Sequence, residues 1–136
     1  MENSTIIMRA LDYIEKHLDE TLNLDKIADY AGYSKFHLNR LFAEMVGCTM
    51  NKYIRNRRLT IAAEKLIYSN QPIIEIAYEA NYNSQQAFTF AFRQLYLHTP
   101  QEYRWIGNYT PKQNRFTINN RFTGFYGSTM KCRAAA

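Results

Sequence analysis

Two short runs of this 136-residue chain carry side chains able to read polar edges: Ser34-Lys35-Phe36-His37-Leu38-Asn39-Arg40 and Ser84-Gln85-Gln86-Ala87-Phe88-Thr89-Phe90. An arginine can hold guanine O6 and N7 as a fork, an asparagine can pair adenine N6 and N7, and a phenylalanine can touch a thymine methyl. Phe36, Asn39 and Arg40 therefore form one candidate base-reading set, and Gln85, Gln86 and Thr89 a second. Ser34 and Ser84 open the segments that carry them, and free backbone N–H groups at a helix start can face phosphates. Lys35, His37 and Arg93 are candidates for gripping a phosphate backbone, as are Lys52, Arg55 and Arg58, which recur every three residues. That trio fits a solvated face or internal salt bridges equally well. Phe90 stands where the first run has Arg40, and it can make neither a guanine fork nor a charged phosphate contact. It either reads a methyl group or packs against protein.

Other chemistries find little support. His17, His37 and His98 have no cysteine or carboxylate at ligand spacing, so no metal or other cofactor is expected. Cys48 and Cys132 are the candidate nucleophiles, and neither has a partnered histidine and acid, so the chain is not expected to be an enzyme. The two cysteines form no metal pattern and suggest reduced thiols in a cytoplasm. No run of about 18 apolar residues predicts a membrane span, and the start of the chain does not read as a secretory signal. Hydrophobic residues make up 46% of the chain, enough for a core, and five Gly with three Pro favour helices over many short strands.

The net charge of +5 is uneven. Residues 1–29 hold seven acids and three bases, residues 30–106 nine bases and five acids, and residues 107–136 five bases and no acid. A basic middle opposed by an acidic front suits a nucleic-acid partner on one face. The acidic residues Asp12, Glu15 and Asp19 would then keep another face free.

Helices must position these residues. Ile6, Ile7, Leu11, Ile14 and Leu18 fall at helical spacing over residues 5–17. Asn23 and Gly32 bracket a helix over 24–31, and Ser34 and Gly47 bracket the next. Thr49 starts a long helix reaching about residue 69. Pro72 suits a first helical position, Ser84 caps a sixth helix, and Thr99-Pro100-Gln101-Glu102 is a capping-box pattern for a seventh.

Residues 24–53 and 73–103 repeat one another. Ile27-Ala28 matches Ile76-Ala77, and Gly32-Tyr33 matches Asn81-Tyr82 at the same offset. After the inserted Asn83, Ser34 matches Ser84, Leu38 matches Phe88, Arg40 matches Phe90 and Tyr53 matches Tyr103. The repeated unit is a helix-turn-helix. The predicted fold is all-α, with seven helices: two three-helix subdomains joined by a long linker helix. The first motif lies at about 24–46, the linker at 49–69 and the second motif at 73–96. A linker of this length spans roughly 30 Å, close to the roughly 34–36 Å of one B-DNA turn. Residues 107–136 read as a flexible basic tail, with a weak hairpin around Asn119-Asn120 as the alternative.

The segments AGYSKFHLNRLFAEMVG, YIRNRRLTIAAEKL and NSQQAFTFAFRQLYLHTPQEYR resemble the DNA-binding domain of AraC/XylS-type transcription regulators over about residues 4–105. GYSKFHLNRLF and the SQQ run are most similar to the MarA, SoxS and Rob subgroup. The resemblance implies a bacterial, cytoplasmic, nucleoid-associated activator that binds an asymmetric promoter site in double-stranded DNA as a monomer. It also implies recruitment of RNA polymerase at stress and antibiotic-resistance genes, with no small-molecule ligand. By the same resemblance, Phe36, Asn39, Arg40, Gln85 and Gln86 match base-reading positions. The subgroup often has Arg where this chain has Phe90, so the second half-site is expected to be read more weakly or differently. The alternative is an architectural or repressor-like DNA binder that does not touch polymerase.

Overall fold

Local capping sets most of the element boundaries. Asn23 accepts the Asp25 N–H through its side chain (2.7 Å) and starts the second helix. That helix ends at Gly32, whose φ of +78° is left-handed and lets its N–H turn back to the Ala28 and Asp29 carbonyls. Asn81 fills the equivalent turn at φ +71°. Asparagine tolerates this region better than most residues with a side chain. Ser34, Thr49, Ser84 and Thr99 each accept a backbone N–H from the first turn of the following helix. At Thr99 the capping box closes, with Glu102 accepting the Thr99 N–H (2.9 Å).

The computed structural model describes residues 2–118. Among them are seven helices and no strand: α1 (Glu2–Lys16), α2 (Leu24–Ala31), α3 (Lys35–Val46), α4 (Met50–Tyr68), α5 (Ile73–Glu79), α6 (Gln85–Tyr96) and α7 (Pro100–Ile106). This is the predicted order. Pro72 differs by one position, lying just before α5 rather than inside it. Two cores divide the chain. The first packs α1, α2, α3 and the start of α4 around Ile7, Ile14, Ile27, Leu38, Phe42 and Tyr53. The second packs the end of α4 with α5, α6 and α7 around Leu66, Ile76, Phe88, Phe92, Tyr96 and Tyr103. The 19 residues of α4 serve both cores, over about 28 Å at ~1.5 Å per residue.

One expectation is corrected. Residues 107–118 are not a loose tail: they lie docked on the helices, with Gln113 fully buried and Phe116 only 3% exposed. The hairpin expected around Asn119-Asn120 lies outside the described residues. Cys48 packs half-buried against the first core, and Cys132 lies outside the described residues. No helix among the described residues is long and apolar enough to cross a membrane.

Candidate nucleic-acid interface

The two helices that carry the candidate reading sets, α3 and α6, start alike. Ser34 Oγ accepts the His37 N–H (3.3 Å) and lies 2.8 Å from His37 Nδ1. Ser84 Oγ accepts the Ala87 N–H (3.1 Å). Each cap satisfies one donor of its first turn, and a helix start has four to satisfy. On α3, Phe36 is 80% exposed, and His37 and Arg40 also face solvent. Lys35 pairs with Asp25 (3.3 Å), and its ammonium lies 5.6 Å from the centre of the Phe36 ring.

Asn39 has a second task. Its Oδ1 accepts the Met50 N–H (3.1 Å), so it helps to cap α4. Two-bond recognition of adenine needs both ends of the amide. An amide oxygen has two lone pairs and its nitrogen two hydrogens, so the Met50 bond leaves one acceptor site and both donors.

On α6, Gln85 and Gln86 are exposed and Thr89 is half-buried. Phe90 is 69% exposed, which removes the alternative that it belongs to the core. It sits on the rim of an open groove of about 600 Å³ between α6 and α4, shared with Arg55, Tyr82 and Gln94. Burial raises the Tyr82 phenol above its ordinary value, and Arg55 and Arg58 pull against that. Phe90 therefore shares its groove with a cation of the linker helix, Arg55.

The linker trio divides. Lys52 lies in the first turn of α4, where Thr49 accepts its N–H (3.3 Å), and Arg55 is exposed. Arg58 is turned inward: its Nε donates to the Leu18 carbonyl (2.8 Å) and its Nη2 to the Glu20 carbonyl. Burial pulls its pKa down. The expected phosphate contact is corrected for Arg58, whose donors instead satisfy the chain leaving α1. Arg93, in the last turn of α6, is exposed.

Two arginines that residue types did not flag are structural. Arg57 grips Glu15 through Nε and Nη2 (3.2 and 2.5 Å) and donates to the Gln113 carbonyl (2.9 Å). Burial opposes its charge, and the Glu15 carboxylate outweighs that and holds it above its ordinary value. Arg104 donates to the carbonyls of Leu66, Ser69 and Gln71 (2.8, 3.2 and 2.8 Å), closing the end of α4. The sequence signal for Arg104 was general, since the last carbonyls of any helix need donors. Lys65 pairs with Glu79 (2.6 Å). The basic middle thus thins to Lys35, Arg40, Lys52, Arg55 and Arg93 around the reading faces. The acidic front is partly committed too, with Glu15 on Arg57 and Asp12 on Arg115.

Residues 27–105 match the model of a family described as a helix-turn-helix domain. The regulatory protein SoxS of Salmonella typhimurium is 40% identical over 104 residues, covering 76% of this chain and 97% of SoxS. The transcriptional regulator Rob of the same organism is 43% identical over 104 residues, and there the chain spans about a third of the relative (36%). A solved transcriptional regulator from Chromobacterium violaceum, described as having an AraC-type DNA-binding domain, superposes with a TM-score of 0.70 at 30% identity. That match covers 74% of this chain and 89% of that one. SoxS and Rob are regulators and not enzymes, as expected from the residues of this chain. With its two capped reading helices on one linker, this chain belongs to the AraC-type helix-turn-helix family of DNA-binding transcription regulators, with SoxS and Rob among its relatives.

Proposed function

We propose that one copy of the chain binds an asymmetric promoter site, with α3 and α6 in successive major-groove segments, and activates transcription by contacting RNA polymerase. The observation that carries this reading is the pair of exposed, N-capped helix faces held by a single α4. A span of about 28 Å suits two grooves on one side of DNA, one turn apart. Arg40 forks a guanine, and Phe36 packs on a thymine methyl or a sugar. Gln85, Gln86 and Thr89 read the second half-site, where Phe90 takes a thymine methyl in place of a guanine. Asn39 pairs an adenine through its amide while the same side chain caps α4. Ser34, Lys35, His37, Lys52, Arg55, Ser84 and Arg93 hold the phosphate backbone.

Relatives such as SoxS and Rob support a regulator of stress or antibiotic-resistance genes that works in the bacterial cytoplasm on the nucleoid. Footprinting tests the DNA reading: a monomer should protect about two adjacent helical turns. Binding no tighter than to random DNA would overturn it. In vitro transcription with purified polymerase tests activation, and no stimulation at an occupied site would favour the architectural or repressor-like alternative. A face kept for polymerase is best probed by charge reversal at exposed Asp19, because Asp12 and Glu15 hold ion pairs. DNA binding should survive while activation falls.

A further inference from the structure

Residues 109–118 cross from the second core to the first. Tyr109 packs against the second core, and Phe116 is buried in the first. Four backbone N–H groups of this strap are received by side-chain hydroxyls of three helices. Tyr103 Oη of α7 accepts from Thr110 (2.8 Å), and Tyr96 Oη of α6 from Lys112 (3.3 Å). Thr60 Oγ1 of α4 accepts from Gln113 (3.0 Å), and Tyr53 Oη of α4 from Phe116 (2.9 Å). Arg57 adds a third party, holding the Gln113 carbonyl and Glu15 of α1 together. Arg115 pairs with Asp12, also on α1. Tyr53 and Tyr103 occupy the same position of the duplicated unit, so the strap is anchored near each end by equivalent phenols.

A second connection beside α4 has a mechanical consequence. Long helices are rarely straight, and bending or twisting of α4 would move α3 relative to α6. A strap bonded to α4 at Tyr53, Arg57 and Thr60, to α6 and α7 on one side and to α1 on the other, opposes that movement.

We propose that residues 109–118 fix the relative placement of α3 and α6 and thereby set the half-site spacing that the chain accepts. Tyr53, Arg57, Thr60 and Phe116 act as positioning residues that need not touch DNA. This rests on the reading that α3 and α6 occupy one DNA site.

The test uses the full chain and two variants, Phe116→Ala and the double substitution Tyr53→Phe with Thr60→Val. Affinity is measured on the footprinted site, on sites with one base pair inserted or removed between half-sites, and on a single half-site. The unaltered chain should lose at least about tenfold on either respaced site, from a discrimination of roughly 1.4 kcal/mol. The variants should bind the native site several-fold more weakly, discriminate spacing by less than about threefold, and match the unaltered chain on a single half-site. Variants that keep the original spacing ratio would overturn the proposal. Hydrogen exchange without DNA gives an independent reading: the Gln113 and Phe116 amides should be slow in the unaltered chain and fast in the variants. Fast exchange in the unaltered chain would sink the strap and leave DNA binding untouched. An unaltered chain that prefers no site would instead sink the two-helix reading. Should circular dichroism show the double variant unfolded, Tyr53→Phe alone replaces it, with a smaller expected loss of spacing discrimination and the same faster exchange at the Phe116 amide.

Discussion

The two helix-turn-helix units solve the same packing problem with different residues. The first turns at Gly32 and ends α3 at Gly47 (φ +105°); the second turns at Asn81 and ends α6 at Leu97 (φ +64°). The first core is largely aliphatic around Phe42 and Tyr53. The second is an aromatic cluster in which Phe92 stacks on Tyr96 at 4.7 Å and meets Tyr103 edge-on at 5.5 Å. The reading faces differ most, with Arg40 in one and Phe90 in the other. The backbone turns match between the units, while the exposed side chain at this repeat position does not. The constraint on a turn is a φ angle, which Gly, Asn or even Leu can meet at differing cost; the constraint on a reading position is the base it meets.

The largest expected difference lies in the cores. Phe88→Ala should cost about 3–5 kcal/mol and its repeat partner Leu38→Ala about 2–5 kcal/mol, because each leaves a cavity at a fully buried site. Denaturant melts measure both, and an unchanged midpoint in either would show that the helix register is wrong.

The reading faces come next. Arg40→Ala should lose about 1–3 kcal/mol of binding, concentrated at one base pair. Phe90→Arg should make the second half-site resemble the first, adding a guanine preference. Selection of bound sequences from a random pool reads both, and an Arg40→Ala loss equal on every sequence would remove base reading from Arg40.

Helix ends come third. Leu97 holds a left-handed backbone that glycine adopts without steric cost, so Leu97→Gly should leave stability level or raise it by about 1 kcal/mol, while Gly47→Leu should lower it by about 1 kcal/mol or more. Thermal melts of the pair test this, and a strongly destabilised Leu97→Gly would mean that the exposed Leu97 side chain makes contacts that matter.

The smallest effect is the most specific. Replacing the thymine under Phe90 by uracil deletes one methyl, worth about 0.8 kcal/mol or roughly fourfold in affinity. The Phe90→Ala chain should not notice the change. Equal losses in both chains would rule out methyl reading.

Much of the fold was legible in the sequence because its signals are local. Asn23, Ser34, Thr49, Ser84 and Thr99 act within three residues, and Gly32, Gly47 and Asn81 act at their own φ. The duplicated pattern then placed both motifs. The strap was not legible, since its four acceptors lie up to 63 positions away along the chain and a tyrosine hydroxyl advertises no partner. The same limit hid the partners of three residues. Asn39 reads as a base reader in the sequence, and the fold adds a bond from the Met50 N–H of α4. Arg58 shares a stripe with Lys52 and Arg55 but meets the carbonyls that follow α1. Arg57 was one base among nine until Glu15 and Gln113 closed around it. Phe90 shows the opposite case, where spacing alone left two readings open and exposure removed the core one.

Joining both units in one chain also changes what a single mutation can do. In a symmetric dimer, a substitution on the reading helix alters both halves of the operator at once, and a site that suited the parent no longer suits either half. On the proposed two-groove reading, a change in α6 leaves α3 as it was, so one half of a promoter can drift while the other keeps its grip. A regulator built this way could acquire new promoters one half-site at a time.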